Sequence, residues 1–195
     1  MKPQLPLVLA LLAGPAIAQD NRQLDAHEHG VGELNIAFDG KNVAMELHAP
    51  GADIVGFEYA ATSAEDREAI DAAVAMLARP QELFVLPAAA ECTVTQASAE
   101  LESEHEHEEH EEHAEEGEHE EHAEEHHEDE AGHTEFHAEY LLTCAKPDAI
   151  SEITFAYFDA FENAREVEVQ IISASGAQAF EVERDAPTLD LRGMF

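Results

Sequence analysis

The sequence predicts an α+β fold: a mostly antiparallel β-sheet with one or two helices, carrying a long disordered His/Glu-rich insertion. Short stretches of alternating apolar and polar residues recur along the chain, the period-2 pattern of half-buried strands. One stretch, residues 63–79, carries helical periodicity instead. Between Glu100 and His133 the chain reads ELESEHEHEEHEEHAEEGEHEEHAEEHHEDEAGH, without Lys or Arg, its apolar side chains being Leu101 and alanines. Such a run cannot bury enough surface to offset the entropy of ordering it.

The chain opens with Met1-Lys2-Pro3-Gln4 and the apolar run LPLVLALLAGPAIA, ending in Ala16-Ile17-Ala18. One cation, a short apolar core and a small-x-small site predict a secretory signal peptide over residues 1–18, cleaved before Gln19. The alternative, a retained membrane anchor, would rest on a run that is short for a bilayer and broken by Gly14 and Pro15. Residues 19–195 are then one domain, large enough for one core but hardly two, interrupted by the insertion at 100–133. Export also sets the reading of the cysteines. In an oxidising compartment Cys92 and Cys144 pair, whereas in a cytosol they would suggest a redox or metal site. Paired, they tie the base of the insertion and withdraw both thiolates as ligands, with a stabilisation of about 4 kcal/mol by the chain-entropy estimate.

Ala26-His27-Glu28-His29-Gly30 leads into a hairpin. Leu34, Ile36 and Phe38 alternate with polar or small neighbours, Asp39-Gly40 supplies the tight turn, and Val43, Met45 and Leu47 resume the alternation. In that register Glu46 and His48 share the face opposite Met45 and Leu47. Pro50-Gly51 ends the strand, and GADIVGFE (51–58) reads as an irregular connection with Ile54, Val55 and Phe57 as buried anchors. Ser63 opens the clear helix, with Asp66 as its capping-box partner, Ile70, Val74 and Leu77 as its apolar stripe, and Pro80 as its limit. Leu83 to Leu86 is a strand or one helical turn. CTVTQ (92–96) leads out to the insertion as a strand. HTEFHAEYLLTC (133–144) leads back, with Phe136, Ala138, Tyr140, Leu142 and Cys144 on one face and His137 and Glu139 on the other. Cys92 and Cys144 would face each other on paired antiparallel strands. An aromatic cluster at 153–158 is closed by Phe161, with the second helix near Phe158 to Ala164. Strands at 167–173 and 179–183 join through Ser175-Gly176, and Leu189 and Leu191 add a last edge strand.

Of the 13 histidines, His105, His107, His110, His113, His119, His122, His126, His127 and His133 fall in the insertion. Imidazole suits zinc, copper and nickel, carboxylates complete or orient such sites, and dense glutamate concentrates dications. Spacings of three and four in His107, His110, His113 and in His119, His122, His126 would align each trio on one helix face. The bland alternative is a solvated spacer, against which the dense interleaving of His with Glu argues on composition. His27, His29, His48 and His137 lie outside the insertion. The HxH pair at 27 and 29 puts both rings on one side of an extended segment, able to share an ion. The expectation is a folded site from some of these four, completed by a carboxylate or water and fed by the insertion as a weaker reservoir.

The exported HEHG start at 27–30, IVGFE at 54–58, Cys92 ahead of a His-rich acidic insertion, the returning HAEYLLTC at 137–144 and FDAF at 158–161 together resemble a known family. It comprises the zinc-regulated periplasmic proteins of Gram-negative bacteria called ZrgA. The resemblance covers nearly the whole mature chain and implies a periplasmic zinc-binding accessory to zinc uptake, with a zinc transporter or its periplasmic receptor as the onward partner.

Other classes fit less well. The formal net charge of -35 repels nucleic acid and anionic lipid, and no later stretch is apolar enough for stable membrane insertion. An enzyme is not expected, since no HExxH stands on a plausible helix and no phosphate loop or nucleophile elbow is present. A two-lobed solute receptor needs a longer chain. A general copper- or nickel-sequestering protein and a non-metal interaction module with a solvated acidic arm remain as alternatives. Copper would bind at least as tightly as zinc in vitro.

Overall fold

The structure, a computed structural model, describes residues 28–103 and 133–194. The expected leader and most of the His/Glu-rich insertion lie outside the described residues. Strands β1 (Val31–Asp39) and β2 (Asn42–Pro50) form the expected hairpin, with Leu34 and Ile36 of one and Val43, Met45 and Leu47 of the other buried. The loop between them is Gly40-Lys41, one position later than the predicted Asp39-Gly40 turn, because Asp39 still pairs with Asn42.

The stretch read as an irregular connection begins with a helical turn, α1 (Gly51–Ile54). Its buried members are Gly51 and Asp53, while Ile54, Val55 and Phe57, expected as buried anchors, are only partly covered. Asp53 turns inward because its Oδ1 accepts the Gly30 backbone N–H at 2.7 Å. Helix α2 (Ala64–Leu77) is capped by Ser63, whose Oγ accepts the Asp66 N–H at 3.0 Å. It buries Ala73 and Leu77, with Ile70 and Val74 half-covered. Pro80 ends α2 and opens the next turn, α3 (Pro80–Leu83), which runs into β3 (Phe84–Val85). The ambiguous run at 83–86 is therefore part turn and part strand.

Strand β4 (Cys92–Ser103) continues well beyond the predicted CTVTQ, so residues 100–103 belong to the sheet and not to the insertion. Ala97, Ala99 and Leu101 extend its alternation and keep it paired with β5 (Thr134–Cys144) as far as Ser103 opposite Thr134. Cys92 stands opposite Cys144 and the two form a disulfide. After β6 (Glu152–Phe155) comes α4 (Tyr157–Ala160), a single turn where a helix near 158–164 was expected. The Arg184 guanidinium donates to the carbonyls of Phe158 (2.6 Å), Ala164 (2.8 Å from Nε) and Phe161, taking from a helix over 158–164 the Phe158 oxygen that its residue 162 N–H would have bonded. Strands β7 (Glu166–Ser173), β8 (Gly176–Glu183) and β9 (Thr188–Asp190) complete the chain.

The strands form a larger sheet ordered β4-β5-β2-β1-β7-β8 and a smaller one ordered β3-β6-β9. Leu189 thus lies on an edge strand, but of the smaller sheet. Pairing is antiparallel except between β1 and β7, a parallel contact that alternation alone does not foretell. One face of the large sheet packs on the small sheet and the turns beside it. Phe84 joins the two, its ring 6.2 Å from Tyr140 and stacked 5.9 Å from Tyr157. The polar face of the large sheet remains open, as an antiparallel sheet allows.

Gly51 sets how closely the α1 connection approaches β5. A Cβ there would collide with Thr134 Oγ1 and lie 2.7 Å from the Phe57 carbonyl oxygen. Gly51→Ala is expected to cost at least about 2 kcal/mol, as overpacking against backbone does, measured by urea unfolding of the metal-free protein.

Candidate metal centre

Directly opposed residues of paired strands project from one face. Across the large sheet Glu100 of β4 stands opposite His137 of β5, and His137 opposite His48 of β2. His48 in turn faces Glu33 of β1, which is followed by Glu168 of β7 and Glu181 of β8. One transverse row of the open face is therefore two imidazoles flanked on both sides by carboxylates. The negative potential there is felt by neighbouring Glu166, whose carboxyl is pushed above its ordinary range by desolvation and by Glu181, Glu168 and Glu183.

The two imidazoles stack, ring centroids 4.5 Å apart. Glu46, two residues before His48 and so on the same face, places Oε1 3.3 Å from His48 Nε2 and 3.3 Å from His137 Nε2. About 3.3 Å is the edge of a tetrahedron whose bonds are about 2.05 Å, the length of zinc bonds to nitrogen and oxygen. The ligand atoms of Glu46, His48 and His137 all lie within 4.8 Å of one another, a group that could hold a metal ion. His48 Nδ1 contacts Glu135 Oε2 at 3.3 Å, the outer carboxylate contact that fixes which nitrogen of a metal-bound histidine is free to ligate. Glu102 Oε1 lies 3.7 Å from His137 Nδ1, and Glu100, Glu102 and His137 make a second, overlapping group.

Electrostatics follow the contacts. The hydrogen bond to Glu135 holds His48 protonated to higher pH than an ordinary imidazole, against partial burial and with help from Glu46. Partial burial pushes the Glu46 carboxyl up, but hydrogen bonds from His48 and His137 outweigh it, and the group lies below the ordinary carboxylate range.

The structure divides the predicted histidines. His48 and His137, far apart in sequence, share one centre. His29 and His133 meet elsewhere, around Glu58. His27, proposed as the partner of His29, lies outside the described residues, as do His105, His107, His110, His113, His119, His122, His126 and His127. Glu46, Glu58, Glu102 and Glu135 were not singled out as ligand-side groups from sequence. The alternation in HTEFHAE (133–139) could have revealed Glu135, since it places His133, Glu135 and His137 on one face.

Fold and side chains together define an α+β protein whose open sheet face presents imidazole and carboxylate groups at metal-ligand separation. The chain belongs to the ZrgA family: the family model for ZrgA family zinc uptake protein matches residues 26–191. No curated protein matches the chain significantly. The family ties the molecule to zinc, and two imidazoles with a carboxylate are a donor set that zinc accepts.

The shift at His48 has a definite sign. Its value in the folded protein is raised above the ordinary 6.5, so it contributes stability that is fully present below about pH 6.5 and fades as pH rises through the elevated value. In chelator-treated protein, the unfolding free energy should therefore fall between pH 6 and 8 by more in the parent than in His48→Gln, measured by urea denaturation.

Proposed function

We propose that the protein is a periplasmic zinc-binding protein that captures zinc outside the cytoplasm and serves zinc uptake as a scavenger, buffer or accessory, without catalysing a reaction. The observation that carries this reading is the convergence of His48 Nε2, His137 Nε2 and Glu46 Oε1 from two neighbouring strands. Three protein ligands leave a fourth position for water or for a ligand of the molecule that receives the ion. Such an incomplete shell suits a protein that must release its cargo.

Several features support export. The first residues read as a signal peptide, the cysteines are joined, and disulfides persist in oxidising compartments. Among the described residues no helix is long and apolar enough to cross a membrane. The His/Glu-rich run feeds the folded centre by composition: many weak ligands held near one strong site raise the local zinc concentration. Each capture needs a neutral imidazole, so loading weakens as pH falls through the imidazole range.

Isothermal titration with zinc at neutral pH tests the assignment. Replacing both His48 and His137 by Ala should remove one tight equivalent, while deleting residues 104–132 should remove weak equivalents and leave that tight one in place. A double variant with every tight equivalent intact would refute the centre.

A further inference from the structure

We infer that the open face of the large sheet is the seat of a basic amphipathic helix from another protein. Register places one row of that face across the strands as Gln96, Leu141, Ala44, Ala37, Ile172 and Ala177. Among the described residues four large apolar side chains are exposed, and two of them, Leu141 (37%) and Ile172 (61%), stand in this row. Scattered exposed apolar residues are ordinary, whereas a contiguous patch marks an interaction surface. Here the alanines join the pair into one strip.

The strip has the shape of a trough. Leu141 and Ile172 stand three strand spacings apart, about 14 Å, with only the methyl groups of Ala44 and Ala37 between them. An α-helix with its side chains is about 10–12 Å across. Two large side chains therefore wall a flat floor that one helix fills, the helix-in-groove mode of recognition. The concavity has a volume of about 560 Å³ and extends along the strands to Asn35, Glu46, Glu139 and Gln170.

Charge decides which helix fits. The next two rows carry Glu139 and Glu46, then Glu100, Glu33, Glu168 and Glu181, and neither holds Lys or Arg. An apolar stripe flanked by Lys or Arg complements trough and carboxylates together, whereas a second copy of the chain would bring another formal net charge of -35. The chain's own α2 has no such face, since its first turn is acidic and its last turn holds no basic residue. From Ala44 to His48 is four strand residues, about 13 Å, or roughly nine residues of helix. A helix lying along the strands from the trough thus reaches Glu46, His48 and His137. Resting on the proposed function, its owner is the protein that receives the ion.

Fluorescence anisotropy of a labelled amphipathic helical peptide of leucine and lysine, titrated with the full mature chain in chelator at physiological salt, tests the surface. The parent should bind it, and the same peptide with glutamate in place of lysine should not bind. Replacing Leu141 and Ile172 together by Thr, which suits exposed strand positions, should weaken binding about tenfold through the lost apolar burial. Ile172→Lys, a single change at an exposed position, should weaken it by at least as much. The His/Glu-rich run also attracts a cationic peptide, but neither variant alters that run, so the difference from the parent reads the trough. Zinc titration of the same proteins reads the metal assignment separately: absence of a tight equivalent would sink that assignment and leave the docking result standing. The inference is overturned if both variants bind the lysine peptide as the parent does, or if the glutamate peptide binds equally well. It is also overturned if sedimentation shows a parent dimer that the variants dissociate, which would make a second copy the occupant.

Discussion

The register of β5 between β2 and β4 is the constraint on which the molecule's chemistry depends. Side chains alternate between faces, so a slip of one residue would send His137 into the core and bring Phe136 or Ala138 out. The buried face prevents this. Leu47 packs opposite Ala138, Met45 opposite Tyr140 and Val43 opposite Leu142, and each large apolar side chain contributes about 1.5–3 kcal/mol by burial. Opposed like charges on the other face cost at most about 1 kcal/mol per pair. The apolar pattern wins and holds the ligands where they are. The Cys92–Cys144 disulfide, with the Ala145 and Lys146 N–H groups bonded to the Glu91 and Ala90 carbonyls, fixes the same register at its far end.

The flanking carboxylates have a dual effect. In the metal-free sheet Glu33, Glu168 and Glu181 stand in line and repel one another. On the proposed function, an arriving dication would meet a field already arranged for it, and relief of that repulsion would add to its binding free energy. Salt should weaken this long-range part more than the contacts of the centre itself, because exposed charges are screened beyond about 8–10 Å. Site and approach are thus separable in their physics although they share one row of residues.

Much of this was legible in the sequence, for identifiable reasons. The hairpin of β1 and β2, the capped helix at Ser63, the facing cysteines and the outward position of His137 all follow from local periodicity and caps. What escaped depended on partners distant in the chain. Nothing in Val31 to Asp39 announces a parallel neighbour at 166–173. Glu58 sits in a connection without period, and its nearness to His133 requires Gly51 to admit Thr134 at close range. The helix near 158–164 is one turn, and Arg184, 20 to 26 residues further on, binds the carbonyls of Phe158, Phe161 and Ala164. The His48 and His137 pair was visible only as two outward histidines, since their meeting is a property of register.

The described histidines differ in how much order they already have. His48 and His137 are 25% and 17% exposed, on adjacent strands with their rings already stacked. Little side-chain freedom remains to be lost there, and preorganisation of that kind strengthens binding chiefly by cutting the ordering cost. His29 and His133 are far more exposed and stand just ahead of β1 and β5, so fixing them would cost more rotamer freedom. Preorganisation therefore favours the strand-built pair as the place where an ion would be held. Glu135 of β5 contacts His48 Nδ1 and adds to that order. On the proposed function, it is this order, set by strand register, that makes Glu46, His48 and His137 the place for the tight equivalent.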